Sequence, residues 1–136
     1  MAKIEGGCLC GQIRYRSDVE PLMVAICHCK NCQRQSGASY SVSFIVPKGA
    51  INIDGELTLY ADTGDSGNTV NRYFCQKCGS PIFSESDALG AVTVMKVGSL
   101  DDTSWVMPTM EIYCDSAQKW TTVESQLESH PKMMPS

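Results

Sequence analysis

The 136-residue sequence lacks features that mark several common functional classes. It has no run of basic residues, and its formal net charge of -4 argues against a nucleic-acid binder that neutralises phosphates. It has no apolar stretch approaching about 18 residues, so we expect no membrane span. Its first residues lack the apolar core of a signal peptide, so we expect a cytoplasmic protein. The length predicts one domain over residues 1–136, with a core at about 4–120 and a frayed polar tail over 121–136.

Long helical patterns are also missing. No segment keeps helical periodicity over three turns, whereas short alternating segments bounded by turn residues recur along the chain. We predict strands at 12–16, 22–26, 40–46, 51–53, 57–60, 69–74, 82–83, 90–97 and 111–114. Asp54-Gly55 predicts a hairpin between two of them. One short helix is expected over Lys30–Ser36, ended by Gly37, and the polar segment 62–68 is expected to be mobile. The fold class is therefore mainly β.

Cysteine is the residue that stands out. The eight cysteines are at positions 8, 10, 27, 29, 32, 75, 78 and 114. In a reducing compartment such tight clusters are typical of metal ligands or redox centres, and a disulfide-stapled secreted module is the alternative. Cys114 has no partner by spacing, so we expect it to be a buried apolar residue.

The other seven cysteines fall into groups of two, three and two. Cys75-Gln76-Lys77-Cys78-Gly79 has the spacing of a zinc knuckle, which needs two more ligands to close a tetrahedral site. Either Cys8 and Cys10 supply them, or two of the central three do and the first pair is idle. We favour the first grouping, because two closely spaced pairs form a closed structural site. In an extended backbone, Cys8 and Cys10 would point to the same side.

Cys27, Cys29 and Cys32 then remain as three thiolates with no fourth ligand, the pattern of a zinc that binds water or substrate. His28 is a possible fourth ligand, but it alternates away from its neighbours if the backbone is extended. A redox or buried cysteine group is the alternative interpretation. Lys30 and Arg34 follow closely and could favour thiolate and bind an anionic substrate, or could be ordinary surface residues.

Three motifs together resemble the glutathione-dependent formaldehyde-activating enzyme family, also named for centromere protein V. They are Gly7-Cys8-x-Cys10-Gly11-x-Ile13-x-Tyr15, Cys27-His28-Cys29-x-x-Cys32-Gln33-x-x-Ser36-Gly37-Ala38 and Phe74-Cys75-x-x-Cys78-Gly79-Ser80-Pro81-Ile82-Phe83. The similarity covers roughly residues 4–120. The segment Pro108-x-x-Glu111-Ile112-Tyr113-x-x-Ser116-x-x-x-Trp120 follows the family pattern only loosely.

The resemblance implies a fold of coiled antiparallel β-sheets shared with methionine sulfoxide reductase B and a Rab exchange factor. It implies two zincs per chain. The structural zinc would be held by Cys8, Cys10, Cys75 and Cys78, and a second, more labile zinc by Cys27, Cys29 and Cys32. The implied activity is that of a carbon–sulfur lyase, in which the thiol of glutathione meets the second zinc and formaldehyde adds to give S-hydroxymethylglutathione.

Two other functions stay open from the sequence. One is a binding or scaffold module whose zincs are only structural, and the other is a thiol oxidoreductase in which the three cysteines form a disulfide. The expected partner is a small thiol such as glutathione, with neither nucleic acid nor membrane as a partner. Tyr40, Asp101 and His28 are candidate acid–base residues, and the residues favour none of them.

Overall fold

Short strands dominate the computed structural model, which describes residues 3–64, 67–123 and 127–134. The strands are β1 (Ile4–Gly7), β2 (Arg14–Ser17), β3 (Met23–Cys27), β4 (Ser41–Pro47), β5 (Asn52–Asp54), β6 (Leu57–Thr63), β7 (Thr69–Cys75), β8 (Pro81–Ser86), β9 (Val92–Lys96), β10 (Met110–Ile112) and β11 (Glu128–Ser129). In the described residues one α-helix, α1 (Lys30–Ser36), joins them, with 3-10 turns at Asp87–Leu89, Val97–Ser99 and Cys114–Ser116. The prediction of a mainly β fold is confirmed.

Two sheets are formed. β1, β2 and β5 make a three-stranded sheet, and the remaining strands make an eight-stranded sheet in the order β11-β10-β3-β4-β9-β8-β7-β6. Neighbouring strands pair antiparallel except at β10, which runs parallel to both β3 and β11. The strand predicted over 90–97 is β9, which lies in the interior of the large sheet between β4 and β8.

The hydrophobic core takes residues from both sheets. Its buried members are Ile4, Ile13, Tyr15, Val24, Phe44, Val46, Cys75, Ile82, Met95 and Leu100. Val24 is opposite Phe44, and Phe44 is opposite Met95, so one side of β3, β4 and β9 belongs to this core. Because side chains alternate along a strand, the intervening residues of these strands face away from the core.

Helix α1 has the predicted bounds. It begins after Cys29, whose sulfur accepts a hydrogen bond from the backbone N–H of Cys32 at 3.3 Å. It ends at Gly37, whose N–H donates to the Arg34 carbonyl. The cysteines at its first turn are therefore held by the helix cap itself.

The predicted hairpin at Asp54-Gly55 is wrong. β5 pairs with β2 and β6 pairs with β7, so this dipeptide carries the chain from one sheet to the other. A Cβ atom on Gly55 would lie 2.4 Å from the carbonyl oxygen of Gln12. Glycine is needed there because the chain passes directly against another backbone segment.

The C-terminal segment is more ordered than the frayed tail we predicted. β11 adds to the edge of the large sheet, and the N–H groups of Tyr113 and Cys114 donate to the carbonyls of Lys132 and His130. The predicted strand over 111–114 ends early, because Tyr113 has a left-handed backbone and a 3-10 turn begins at Cys114. Residues 124–126 and 135–136 lie outside the described part of the chain.

The polar segment over 62–68, predicted to be mobile, is fixed at its start. Thr63 closes β6, and the preceding Asp62 accepts a hydrogen bond from Nε of Arg72 at 2.9 Å. Residues 65–66 lie outside the described residues. In the part of the chain that is described, no helix is long and apolar enough to cross a membrane.

Candidate functional site

Four cysteines from two distant turns meet beside the core. The members of this four-cysteine group are Cys8, Cys10, Cys75 and Cys78, whose sulfurs all lie within 4.8 Å of one another. The Sγ atoms of Cys8 and Cys10 are 3.6 Å apart, and those of Cys10 and Cys75 are 3.8 Å apart. This is the grouping we favoured. Cys8 and Cys10 lie in a tight turn after β1, however, and not in an extended strand as we assumed.

Backbone and hydroxyl donors point at these sulfurs. The N–H of Ile13 donates to Cys8 Sγ at 3.2 Å, and the N–H of Lys77 donates to Cys75 Sγ at 3.4 Å. A hydrogen bond from the Ser80 hydroxyl lowers the pKa of Cys78 to about 5. Such donors stabilise thiolates, which are the form that binds metal.

The knuckle also has the glycine that its turn requires. Gly79 adopts a φ of 79°, and its N–H donates to the Cys75 carbonyl at 2.8 Å. Zn–S bonds of about 2.3 Å in a tetrahedron place sulfurs about 3.8 Å apart. The separations of 3.6 and 3.8 Å are close to that value, so the four-cysteine group fits a closed zinc site.

A second cluster lies at the junction of β3 and α1. The members of this three-cysteine group are Cys27, Cys29 and Cys32, whose sulfurs also lie within 4.8 Å of one another. Cys27 ends β3, Cys29 caps the helix and Cys32 lies in its first turn. Their spacing fits three corners of a zinc tetrahedron and leaves the fourth corner without a cysteine.

Two buried cations lie close to the three-cysteine group. Hydrogen bonds from Cys27 and Cys29 lower the pKa of Cys32 to about 3, and the charges of Lys96 and Arg72 act in the same direction. Burial lowers the pKa of Lys96, and the charge of Cys32 opposes that change. The Cys32 sulfur and the Lys96 ammonium group therefore stabilise each other's charged forms, whereas the neighbouring sulfurs raise the pKa of Cys27.

The cations we expected near the sulfurs are located elsewhere. Lys30 and Arg34 are exposed and line a separate surface depression with Trp120. The cations beside the sulfurs are Lys96 at the end of β9 and Arg72 on β7. Lys30 and Arg34 were expected near the sulfurs because they are close to the cysteines in sequence, but helix α1 turns both side chains outward. Strand alternation is the sequence signal that could have found Lys96. It lies two residues after Val94, so both side chains are on the same face of the strand.

His28 does not point at the sulfurs on either side of it. Its Nε2 lies 2.8 Å from Oε1 of Glu111, and Ser129 donates to the other carboxylate oxygen at 2.8 Å. The imidazole is buried, with 1% of its side chain exposed. The pair links β3 to β10 and so fixes the backbone between Cys27 and Cys29.

Cys114 lies near this pair and is only partly buried, not fully buried as we expected. Its sulfur is 3.8 Å from the Glu111 carbonyl oxygen, and it shares a cluster of possible donors with His28 and the Glu111 carboxylate. The cluster offers three donors, fewer than a structural zinc needs, and two of them are already hydrogen-bonded together.

A cavity of about 190 Å³ opens beside the three-cysteine group. Cys27, Cys29 and Cys32 contribute to its wall, and so do Lys96 and Arg72. Most of the remaining wall is apolar, from strands of the large sheet and from the C-terminal segment: Met23, Ala25, Ile45, Val70, Leu89, Val94, Met110, Ile112, Met133 and Met134. Apart from Ile112, which lies in the loosely matching family segment, none of these apolar residues was singled out from the sequence.

The candidate acid–base residues are not in this cavity. His28 binds Glu111, and Asp101 forms an ion pair with Arg14 on the surface. Tyr40 lines a different groove, which extends towards Cys8. Lys96 does border the cavity, and its Nζ donates to the Ser41 hydroxyl at 2.7 Å.

The chain is similar to known proteins over most of its length. The sequence profile described as glutathione-dependent formaldehyde-activating enzyme matches residues 3–116. An uncharacterized lyase of Schizosaccharomyces pombe is 25% identical over 83 residues, which are 61% of this chain and 58% of that protein. A putative glutathione-dependent formaldehyde-activating enzyme of Penicillium rubens is 24% identical over 111 residues, 79% of this chain and 54% of that protein.

The chain thus spans less than three-fifths of the length of either curated relative. The crystal structure of a Rhodobacter sphaeroides protein resembles the fold, with a TM-score of 0.58 and 22% identity. The match covers 77% of this chain and 92% of that one. It shows that the architecture occurs in a solved protein.

Proposed function

Because its family profile covers residues 3–116, the chain belongs to the glutathione-dependent formaldehyde-activating enzyme family, and we propose that it is a zinc-dependent carbon–sulfur lyase. The substrate is an adduct of a small thiol such as glutathione. For formaldehyde, the thiol adds across the carbonyl group: the S–C bond forms, the carbonyl π bond breaks, and the proton of the thiol ends on oxygen. The lyase direction is the reverse.

The observation that carries this proposal is the three-cysteine group beside a cavity. Cys27, Cys29 and Cys32 present three sulfurs within 4.8 Å of one another at the cavity wall. The four-cysteine group, by contrast, supplies a full tetrahedral set from protein alone. A site with three protein ligands keeps one position for a substrate sulfur.

The residues at the cavity wall would have two roles in this reaction. Cys27, Cys29 and Cys32 would hold a zinc ion at the cavity wall, and that ion would supply the lowering of a thiol's pKa that makes a substrate sulfur anionic near neutral pH. Lys96 borders the same space and has hydrogen-bond donors to offer the oxygen that gains negative charge as the adduct forms.

The cavity favours this activity over a scaffold whose zincs are only structural. An apolar cavity and a buried ammonium group beside three cysteines would not help a structural centre to stabilise the fold, whereas both would help an enzyme to bind a substrate. The oxidoreductase alternative is separable by mass, because a disulfide within the three-cysteine group removes two hydrogens from the chain. We expect the reduced mass in protein isolated with glutathione present.

Metal content and catalysed exchange test the proposal together. We expect two zincs per chain in the wild-type protein and one in Cys32→Ser, measured by elemental analysis. Exchange NMR with ¹³C-formaldehyde and glutathione should show faster interconversion with the adduct for the wild-type protein than for Cys32→Ser. Two tightly bound zincs in Cys32→Ser would refute the ligand assignment. The formaldehyde reaction would be refuted if the two-zinc protein neither bound glutathione and formaldehyde nor accelerated their exchange with the adduct.

A further inference from the structure

The cavity beside the three-cysteine group is built by the strand register of the large sheet. Residues directly opposite each other on neighbouring strands share a face. One such row runs across five strands, and its members are Met23, Ile45, Val94, Ser84 and Arg72. A second row, closer to the sulfurs, consists of Met110, Ala25, Ser43 and Lys96. Every member of both rows lines the cavity.

This face is therefore the one turned away from the hydrophobic core. Val24, Phe44 and Met95 occupy the core side of the same three strands. Met133 and Met134 from the C-terminal segment cover part of the other side. Apolar residues of both the sheet and the C-terminal segment line a partly open space that no side chain of the described residues fills.

The size of that space exceeds what formaldehyde needs. An apolar protein cavity of about 150 Å³ is enough to bind benzene. At about 190 Å³, this cavity has room for a group at least that large. Formaldehyde carries a single carbon and would leave most of the space empty. Unfilled apolar space loses dispersion contacts, so the cavity favours a larger occupant.

The polar groups on the wall do not call for a charged occupant. Arg72 is paired with Asp62 at 2.9 Å. Lys96 donates to the Ser41 hydroxyl at 2.7 Å and lies beside the sulfurs of the three-cysteine group. Both cations therefore have a partner within the protein, and most of the remaining wall is apolar, which favours burial of an apolar group.

We propose that the carbon bonded to sulfur in this protein's substrate carries an apolar substituent of about six carbons, which lies in this cavity. The inference rests on the proposed function and specifies its substrate as the thiol adduct of a medium-chain or aromatic aldehyde. The chemistry balances as it does for formaldehyde: S–C forms, the carbonyl π bond breaks, and the thiol proton ends on oxygen. The reverse step releases aldehyde and thiol, with no redox change.

The first test addresses the cavity independently of any thiol. With methyl-¹³C methionine, each of the seven methionines reports through its own NMR signal. Added 1-hexanol should shift the signals of Met23, Met110, Met133 and Met134, which line the cavity. The signals of Met95 in the core and Met107 on the surface serve as controls. If hexanol leaves the four cavity signals unchanged, the inference is wrong.

The second test connects the cavity to the thiol. S-Methylglutathione and S-hexylglutathione are stable thioethers that differ by five methylenes, and each buried methylene is worth about fourfold in affinity. We expect S-hexylglutathione to bind at least about tenfold more tightly by calorimetry. Ala25→Phe places a ring in the cavity and should bring that ratio close to one. Ala91→Phe, on the exposed surface, should leave the ratio unchanged.

The outcomes separate the two proposals. Shifted cavity methionines together with no binding of either thioether would uphold the apolar substituent and refute glutathione as the thiol. Binding of both thioethers with equal affinity would refute the apolar substituent, while glutathione would stand. A tenfold preference that Ala25→Phe does not reduce would place the hexyl group elsewhere and refute the inference.

Discussion

The two cysteine groups use the same donor atom but differ in what surrounds it. The four-cysteine group joins a turn after β1 to a turn after β7, and three of its sulfurs receive hydrogen bonds from backbone N–H or hydroxyl groups. The three-cysteine group lies within a single strand-to-helix junction and borders a cavity and a buried lysine. One arrangement links distant parts of the chain, whereas the other places three sulfurs beside a cavity.

This difference indicates a division between stability and chemistry. A metal that joins segments more than 60 residues apart stabilises the fold, because the unfolded chain cannot keep those segments together. A metal bound within six consecutive residues constrains little of the chain. Substitutions should therefore affect folding at the first group and reactivity at the second.

Cys10→Ser is expected to have the largest effect. Cys10 is exposed, so the substitution leaves no cavity in the core and removes only a ligand. We expect the loss of one zinc and a fall in Tm on the order of 10 °C or more, because structural zinc supplies folding free energy directly. Cys32→Ser is the matched variant and should lower Tm by much less. Equal changes in Tm by calorimetry would contradict the division.

Chelation should distinguish the two metals by rate. A metal held by the three-cysteine group would keep one coordination position that a chelator can reach, whereas four cysteines would fill the coordination of the other metal. With a colorimetric chelator, we expect one zinc to leave about 10²-fold faster than the other, with the far-ultraviolet circular dichroism unchanged after the first. Release of both metals in a single phase that unfolds the protein would show that the sites are not independent.

Lys96→Met should slow the reaction without affecting either metal. Methionine fills a similar volume but cannot donate to an oxygen in the cavity, and loss of one such donor costs about 10²-fold in kcat. Because the buried charges of Lys96 and Cys32 stabilise each other, removal of the ammonium group should also lower Tm. Exchange NMR measures the rate, and elemental analysis checks that two zincs remain. A rate within about twofold of wild type would show that Lys96 does not act on the substrate.

The sequence predicted local features well because they depend on neighbouring residues. The bounds of helix α1 and the β-rich character both follow from short-range patterns. The spacing of the cysteines also anticipated which of them come together, while their binding of zinc stays a prediction.

Features that depend on strand pairing could not be predicted in the same way. The position of Lys96 beside the sulfurs results from the register of β9 against β4, and β4 against β3, across about 70 residues of chain. The same holds for Arg72 on β7. The order of the C-terminal segment depends on β10 as a partner for β11, which the polar composition of the tail does not reveal.

Glu111→Gln should have the smallest effect, and it tests whether the three-cysteine group is held by its surroundings. Glutamine can still accept from His28 but loses the charge, and its amide nitrogen cannot accept the hydrogen bond from Ser129. We expect a loss of about 1 kcal/mol in the free energy of unfolding by urea denaturation. Glu128→Gln is the matched control, because Glu128 pairs with His130 on the surface, and this substitution should change stability by less than about 0.5 kcal/mol.

Since His28 lies between Cys27 and Cys29, Glu111→Gln should also speed release of the labile zinc by a few fold. The rate for the zinc of the four-cysteine group should stay unchanged, and equal acceleration of both would mean that the substitution loosens the whole fold and not this junction alone.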